Sequence, residues 1–343
     1  YIFTHLSKVI KALIKKEDNG LLEYQDDDGF KIEPKVYYPI IPLVLVNGAD
    51  GIGTGFSTYV PNYNPNDIVN ILLNKLKGEK TKIKLKPYYK NFKGDIKYVD
   101  ANTYVTKGLM ELDGNKLYIK ELPIKTWTSE YKEFIEELVY ESNCELFSSV
   151  SNMSSDSEVS FILKIKDETL VKNLMEDKYD EHISKLEKYL KLYKTIKTSN
   201  MHLFDKDFDM HLYNSPEKII DQFYKVRLIK YQERKDLMLK LFKIELELDE
   251  SKIKWLKMVL SNKVDLQKTT DEELLKILIK NKFAKKDNSY DYLLNISIRE
   301  MTKDRLDKLK QKIDKIKADI KSLEKKSPEK LWTEDLEELK SLL

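Results

Sequence analysis

Residues 303–325 read KDRLDKLKQKIDKIKADIKSLEK, and their apolar positions, Leu306, Leu309, Ile313, Ile316, Ile320 and Leu323, step by three and four in strict alternation. That spacing is a coiled-coil seam, with Lys, Asp and Glu left on the solvated side. A seam needs a partner helix, and one is available upstream. Ser215-Pro216 supplies an N-cap and a proline at the first helical position. Ile219, Phe223 and Val226 then start an apolar stripe that Leu237, Leu241, Ile244 and Leu248 resume in phase, while Lys230 and Glu233 interrupt it. The residues between the two runs also look helical and compact. The simplest solution is an antiparallel helix pair closed by a small globular tip, so residues 201–343 are expected to be a stalk with a knob.

Residues 37–200 have a different character. Tyr37 to Val46 is an apolar run with the look of a buried strand, and a glycine-rich loop follows at once. A helix is predicted over Asp67–Leu76. The Ser- and Asn-rich segment Cys144–Asp156 is expected to be an exposed loop, and Val159, Phe161, Leu163 and Ile165 fall at strand spacing. Residues 1–36 read as a helix (Leu6, Val9, Ile10, Leu13, Ile14) ended by Asn19-Gly20. A hairpin is expected next, around Asp26-Asp27-Asp28-Gly29. The class expected is therefore α+β.

Composition narrows the function. The chain has 343 residues, 41% of them hydrophobic, which excludes a wholly disordered polypeptide. Charged residues reach 35%, yet 61 Lys and Arg against 58 Asp and Glu leave only +3. A single cysteine, Cys144, cannot build a disulfide framework, and the four histidines show no zinc spacing, so a reducing compartment is expected. No run is long and apolar enough for a membrane span, and no signal peptide is visible. The chain opens on Tyr1 and not Met, so a piece of a longer protein is expected.

The near-neutral total hides a patch. Lys75, Lys77, Lys80, Lys82, Lys84, Lys86, Lys90, Lys93 and Lys97 face only Glu79 and Asp95 in the same stretch, with Tyr88, Tyr89, Phe92 and Tyr98 among them. Lysines interleaved with aromatics suit a phosphate backbone, since each neutralised phosphate releases condensed counterions. A merely solvated lysine face has the same composition.

The loop Asn47-Gly48-Ala49-Asp50-Gly51-Ile52-Gly53-Thr54-Gly55 has the spacing G-x-x-G-x-G-x-G. That is neither the dinucleotide fingerprint nor a phosphate-cradling P-loop. It suits tight turns and close approach of another body, with one bulky apolar side chain, Ile52, held among glycines. Either a structural turn or a wedge between base pairs accounts for it. Tyr1 is one of 21 tyrosines. A phenol with a pKa near 10 becomes a nucleophile only with help from a cation or metal.

Tyr1-Ile2-Phe3-Thr4 resembles the active-site tyrosine motif of eukaryotic-type DNA topoisomerase II, a type IIA family. Pro39-Ile40-Ile41-Pro42 through Gly55 resembles the family's signature downstream of that tyrosine. Tyr89–Gly94, Glu121–Thr128, Ser199–Asp205, Tyr292-Leu293-Leu294 and Lys326–Leu336 match in family order over essentially the whole chain. Two positions depart from the pattern: Phe56 where Trp is common and Asp50 where Glu is usual.

The resemblance implies that Tyr1 attacks a DNA phosphodiester to leave a transient 5′-phosphotyrosyl link, in ATP-dependent relaxation and decatenation. It implies that Ile52 inserts between base pairs and bends the DNA. Asn47, Gly51, Gly53, Thr54, Lys90 and Lys93 would be DNA contacts. Residues 1–36 become the end of a winged-helix domain, 37–200 a DNA-bending tower domain, and 201–343 a coiled coil whose tip dimerises. Mg²⁺ and ATP would bind in domains outside this chain, so no metal ligand is expected within it and the chain alone should not cleave DNA. The partners implied are double-stranded DNA, a second copy of the chain, and the ATPase and metal-binding domains, with no membrane. The location implied is the nucleus, or a viral replication compartment. The rival reading is a non-enzymatic dimeric DNA clamp that keeps the fold.

Overall fold

The computed structural model describes residues 3–141, 144–264, 269–297 and 301–343. They form two compact units, residues up to Ile40 together with Lys225–Leu342, and Ile41–Tyr224 together with Leu343.

In the first unit the seam behaves as its spacing demands. Helix α10 (Lys303–Lys325) buries Ile313, Ile316, Ile320 and Leu323. Its neighbour is the long helix α7 (Pro216–Leu260, 45 residues). Lys312 reaches Glu245 at 2.6 Å and Asp249 at 2.7 Å, Lys317 reaches Glu250 at 2.7 Å, and Lys243 lies 3.4 Å from Glu324. Low numbers on one helix meet high numbers on the other, so the pair is antiparallel. The face of α7 differs from the expected one: Leu241 and Ile244 are exposed, at 55% and 45%. Helix α7 carries apolar residues on several sides of adjacent turns (Leu237, Met238, Leu239, Leu241, Phe242, Ile244), so periodicity alone does not select the packed side. The ion pairs to the lysine-rich α10 mark the side that faces it.

Helix α8 (Asp271–Lys280) starts in a Thr270–Glu273 capping box. With α9 (Asp291–Leu294) it closes a core of Trp255, Val264, Leu274, Leu278, Phe283, Tyr290 and Leu293. Most apolar residues of the knob are thus used internally, whereas Leu260, Leu275 and Ile279 remain exposed.

The amino-terminal part of this unit is less helical than expected. Helix α1 covers only Ile10–Leu13, and Asn19-Gly20 lies within a 3-10 turn, Lys16–Leu21. Leu6 is 81% exposed, so the helical spacing around it has nothing to pack against. Ile14 is extended, and the turn that follows delivers Asp18 to Arg227 in the core. Strands β1 (Tyr24–Asp27) and β2 (Phe30–Pro34) then form the expected hairpin, with Asp28 and Gly29 both at positive φ. Helix α11 (Pro328–Lys340) is capped by Ser327, stacks Trp332 on Tyr231, and donates the Trp332 indole N–H to the Ile40 carbonyl at 3.0 Å.

The second unit is mixed α and β. One core lies under a four-stranded sheet of β7 (Leu109–Asp113), β8 (Lys116–Glu121), β10 (Phe161–Ile165) and β9 (Phe147–Asn152), in that order. Helices α4 (Thr128–Tyr140), α5 (Glu168–Glu176) and α6 (Lys185–Tyr189) contribute Tyr131, Ile135, Val171 and Leu186 to it. A three-stranded sheet, β11 (Tyr193–Lys197), β6 (Thr103–Lys107) and β5 (Asp95–Asp100), lies beside the polypeptide that carries the lysines.

Three expectations for this stretch are corrected. Residues 37–46 contain no strand, and Leu43–Asn47 is helix α2. Pro39 and Pro42 lack the N–H a buried ladder requires, and Pro42 sits just before the first helical turn. Within the Ser- and Asn-rich segment, Phe147–Asn152 forms the edge strand β9 with Phe147 buried, whereas residues 153–156 lie outside any strand as expected. Residues 201–214, expected to be helical, form the hairpin β12 (Met201–Phe204) and β13 (Met210–Tyr213). The predicted helix is present as α3 (Pro65–Leu76), capped by Asn64.

Candidate nucleic-acid interface

The glycine-rich sequence folds as a hairpin of β3 (Ala49–Ile52) and β4 (Ser57–Val60). Asn47 is exposed at the end of α2, and Gly48 makes the bend into β3 at φ +69°. A Cβ there would also lie 2.7 Å from Asn62 Oδ1, so only glycine fits. Gly51 is half-buried, whereas Gly53 and Thr54 are exposed. The turn closes through the Gly53 N–H, which donates to the Phe56 carbonyl at 2.8 Å. Ile52, the last residue of β3, is 93% exposed. Such full exposure of a β-branched apolar side chain at a hairpin end is what a wedge requires, and it buries nothing of its own fold.

The hairpin is braced from β12. The Tyr59 N–H donates to the Asn200 carbonyl at 2.8 Å, and the Thr58 hydroxyl donates to the His202 carbonyl at 2.8 Å. The Asn200 amide donates to Ser57 Oγ at 2.8 Å, and Phe56 meets His202 edge-on with centroids 6.0 Å apart. The Ser199–Asp205 motif therefore has a structural task, supporting the glycine hairpin from a distance in sequence that periodicity cannot bridge.

The lysine stretch adjoins this hairpin. The Tyr59 and Tyr89 hydroxyls are 3.0 Å apart. Burial, and then the bond to Tyr59, push the Tyr89 phenol far above its ordinary value, so it stays protonated. Lys90 is exposed directly after Tyr89. Lys93 is also exposed, with its Nζ 3.5 Å from Glu158 and its backbone N–H donating to Glu121 at 3.2 Å. Lys75 pairs with Asp221 and Lys97 with Asp95. Lys77, Lys80, Lys82, Lys84, Lys86 and Lys90 are exposed and carry no ion pair among the described residues, leaving the stretch net positive.

Gly94 closes this motif where the chain passes against β6. A Cβ on it would fall 2.0 Å from the Lys107 carbonyl oxygen and 2.4 Å from the Phe92 ring. Gly94→Ala is expected to destabilise the protein by about 1–3 kcal/mol, the usual cost of forced overpacking. The midpoint of denaturant unfolding checks this, and an unchanged midpoint would show that β6 yields freely.

Tyr1 lies outside the described residues. The described tyrosines whose acidity shifts (Tyr63, Tyr89, Tyr104, Tyr131, Tyr189, Tyr213, Tyr231 and Tyr292) are all shifted upward, burial being the first cause in each. That direction is opposite to what activates a phenol as a nucleophile. Among the described residues no group of three or more His, Cys, Asp or Glu side chains is arranged to hold a metal ion, and no helix is long and apolar enough to cross a membrane.

The family model for the A subunit of DNA gyrase/topoisomerase IV matches residues 1–337. The chain belongs to that family. It is similar to the mitochondrial DNA topoisomerase 2 of Dictyostelium discoideum, at 35% identity over all of this chain and 26% of that protein. It is similar to DNA topoisomerase 2 of Arabidopsis thaliana, at 34% identity over 99% of this chain and 25% of that protein. The chain thus spans about a quarter of the length of these curated relatives. Among solved structures, the Plasmodium falciparum topoisomerase II DNA-binding, cleavage and re-ligation domain superposes with a TM-score of 0.89 at 30% identity, over 99% of this chain and 49% of that one. The expected α+β topoisomerase II architecture is therefore the observed one.

Proposed function

We propose that this chain is the DNA breakage–reunion portion of a type IIA topoisomerase, and that it holds, bends and cuts a duplex for strand passage. The observation that carries the reading is Ile52, 93% exposed at the end of a hairpin braced by β12 and bordered by exposed lysines. Phosphate contacts from Lys90 and Lys93 would set the register of the duplex, without reading its sequence. Asn47, Gly51, Gly53 and Thr54 would let the backbone approach the groove. Ile52 then enters a base step and unstacks it, at a cost of a few kcal/mol that the added contacts along the bent duplex offset. Because the hairpin is fixed before DNA arrives, little of that energy is lost in ordering the protein.

Tyr1 is the proposed nucleophile. Its oxygen bonds to a backbone phosphorus as the bond from phosphorus to the 3′ oxygen breaks. The phenol proton leaves, and the departing oxygen is protonated to a 3′-hydroxyl. One phosphoester replaces another, so the reverse attack reseals the strand. The described side chains do not fit a Mg²⁺ site, and no step here runs through one. Mg²⁺ and ATP belong, in this proposal, to parts of the protein outside these residues. The three-part division at 36/37 and 200/201 and a nuclear location are parts of the same proposal. Dimerisation would use the knob, where Leu275 and Ile279 lie one turn apart on α8 and are exposed.

The wedge is tested by Ile52→Ala in the full-length protein. The bend, read by energy transfer between dyes at the ends of a short duplex, is expected to fall. Double-strand cleavage should fall with it, and affinity should change little because phosphate contacts dominate it. An unchanged bend would remove Ile52 from the mechanism.

A further inference from the structure

We propose that Lys125 is the positioning residue that fixes the Ile52 hairpin in its DNA-bending orientation, an inference that rests on the wedge reading of Ile52. Asp50 and Tyr59 are cross-strand partners on β3 and β4. The Lys125 ammonium grips both: its Nζ is 2.5 Å from Asp50 Oδ2 and 3.6 Å from the centroid of the Tyr59 ring. One cation from a separate loop thus ties the two strands together at a single rung, two residues before the wedge.

The loop is shaped for this contact. Lys125 has φ +65°, in the left-handed region that a non-glycine residue adopts only where its surroundings hold it there. The Lys194 ammonium supplies part of that hold, donating to the Lys125 carbonyl at 2.6 Å. Charge gives a second reason. Asp50 is an anion next to a surface meant for phosphates, and unpaired it would repel the duplex. Lys125 neutralises it. Both side chains are substantially exposed, 42% for Lys125 and 62% for Asp50, so the pair adds little to folding stability. Its effect belongs to the bound DNA.

The test uses the full-length protein with a doubly labelled duplex, comparing Lys125→Ala, Lys125→Arg, Lys125→Gly and Ile52→Ala at saturating protein. Lys125→Ala is expected to lower the bent-to-straight ratio by about two- to fivefold, the range an exposed ion pair can supply, with an unchanged melting temperature. Lys125→Arg should restore the bend. Lys125→Gly, which relieves the left-handed backbone, should melt no lower than wild type and still bend poorly; a purely structural role predicts the reverse. Normal bending by Lys125→Ala alongside defective Ile52→Ala overturns this inference and leaves the wedge standing. Weaker, salt-sensitive binding with a full bend at saturation would make Lys125 a phosphate contact and also overturns it. Normal bending by both variants removes the wedge reading and this inference together.

Discussion

In the full-length protein, Tyr1→Phe is expected to reduce the covalent protein–DNA adduct trapped by denaturant to background, while DNA binding and the Ile52-dependent bend persist. Phenylalanine keeps the ring and removes only the oxygen that attacks. The described tyrosines with shifted acidity are all shifted upward, away from activation, and Tyr63, Tyr131 and Tyr231 are buried besides. Binding should survive because the lysine face and the hairpin are separate from the nucleophile in sequence and carry their own contacts. Gel separation of denatured complexes formed on plasmid DNA reads the adduct, and energy transfer reads the bend. An adduct that persists in Tyr1→Phe places the nucleophile elsewhere. A wild-type protein that binds and bends but forms no adduct with Mg²⁺ and all its domains present would instead be a DNA clamp with a topoisomerase fold.

The parts of this fold that were legible in the sequence are those governed by local chemistry. The α10 seam has one apolar side only, so its three-and-four spacing admits a single packed face, and Ile313, Ile316, Ile320 and Leu323 are buried. Ser215-Pro216 announces α7, which starts at Pro216 with Ser215 Oγ accepting from the Lys218 N–H at 3.4 Å. Failures occurred where tertiary partners decide. Helix α7 has apolar residues on several sides, and which of them pack depends on where α10 lies, a partner distant in sequence that its ion pairs reveal. Leu6 and Val9 have helical spacing, but the chain leaves the helix after Leu13 so that Asp18 can reach Arg227.

The same division holds at the site. The glycine spacing showed an exposed, tightly turned loop, and a single apolar residue within it. It could not show that Asn200 and His202 brace that loop, or that Lys125 pairs with Asp50, since those contacts span 143, 144 and 75 residues. Only the resemblance in Glu121–Thr128 and Ser199–Asp205 marked these segments, and it marked them without a reason. In the wedge proposal the reason is mechanical: a side chain that unstacks a base step needs something behind it to resist.

The largest stability effect is expected at the charges that hold residues up to Ile40 against α7 and α11. Asp18 and Arg227 form a 2.6 Å ion pair with side chains 3% and 2% exposed. Beside it, Asp335 accepts from Tyr231 at 2.7 Å and from Arg234 at 2.8 Å, and Lys15 lies 3.2 Å away. Burial raises the Asp18 carboxyl above its ordinary value, outweighing the attraction of Arg227 and Arg234, and Asp335 adds to the rise. The sign follows from linkage. A carboxyl whose folded pKa exceeds its unfolded one favours the fold while protonated, and that contribution is lost as pH rises through the folded value. At neutral pH the pair is therefore held by the surrounding fold and not a source of its stability. Asp18→Ala should nevertheless cost about 3–5 kcal/mol, because it leaves the Arg227 guanidinium buried without a counter-charge. The double variant Asp18→Leu with Arg227→Met should recover most of that loss, since neither charge then has to be desolvated. Denaturant unfolding of wild type, both single variants and the double variant closes the cycle. A double variant as unstable as Asp18→Ala would show that packing around the Tyr231 ring, over which the Arg227 guanidinium lies at 4.2 Å, outweighs charge burial at this junction.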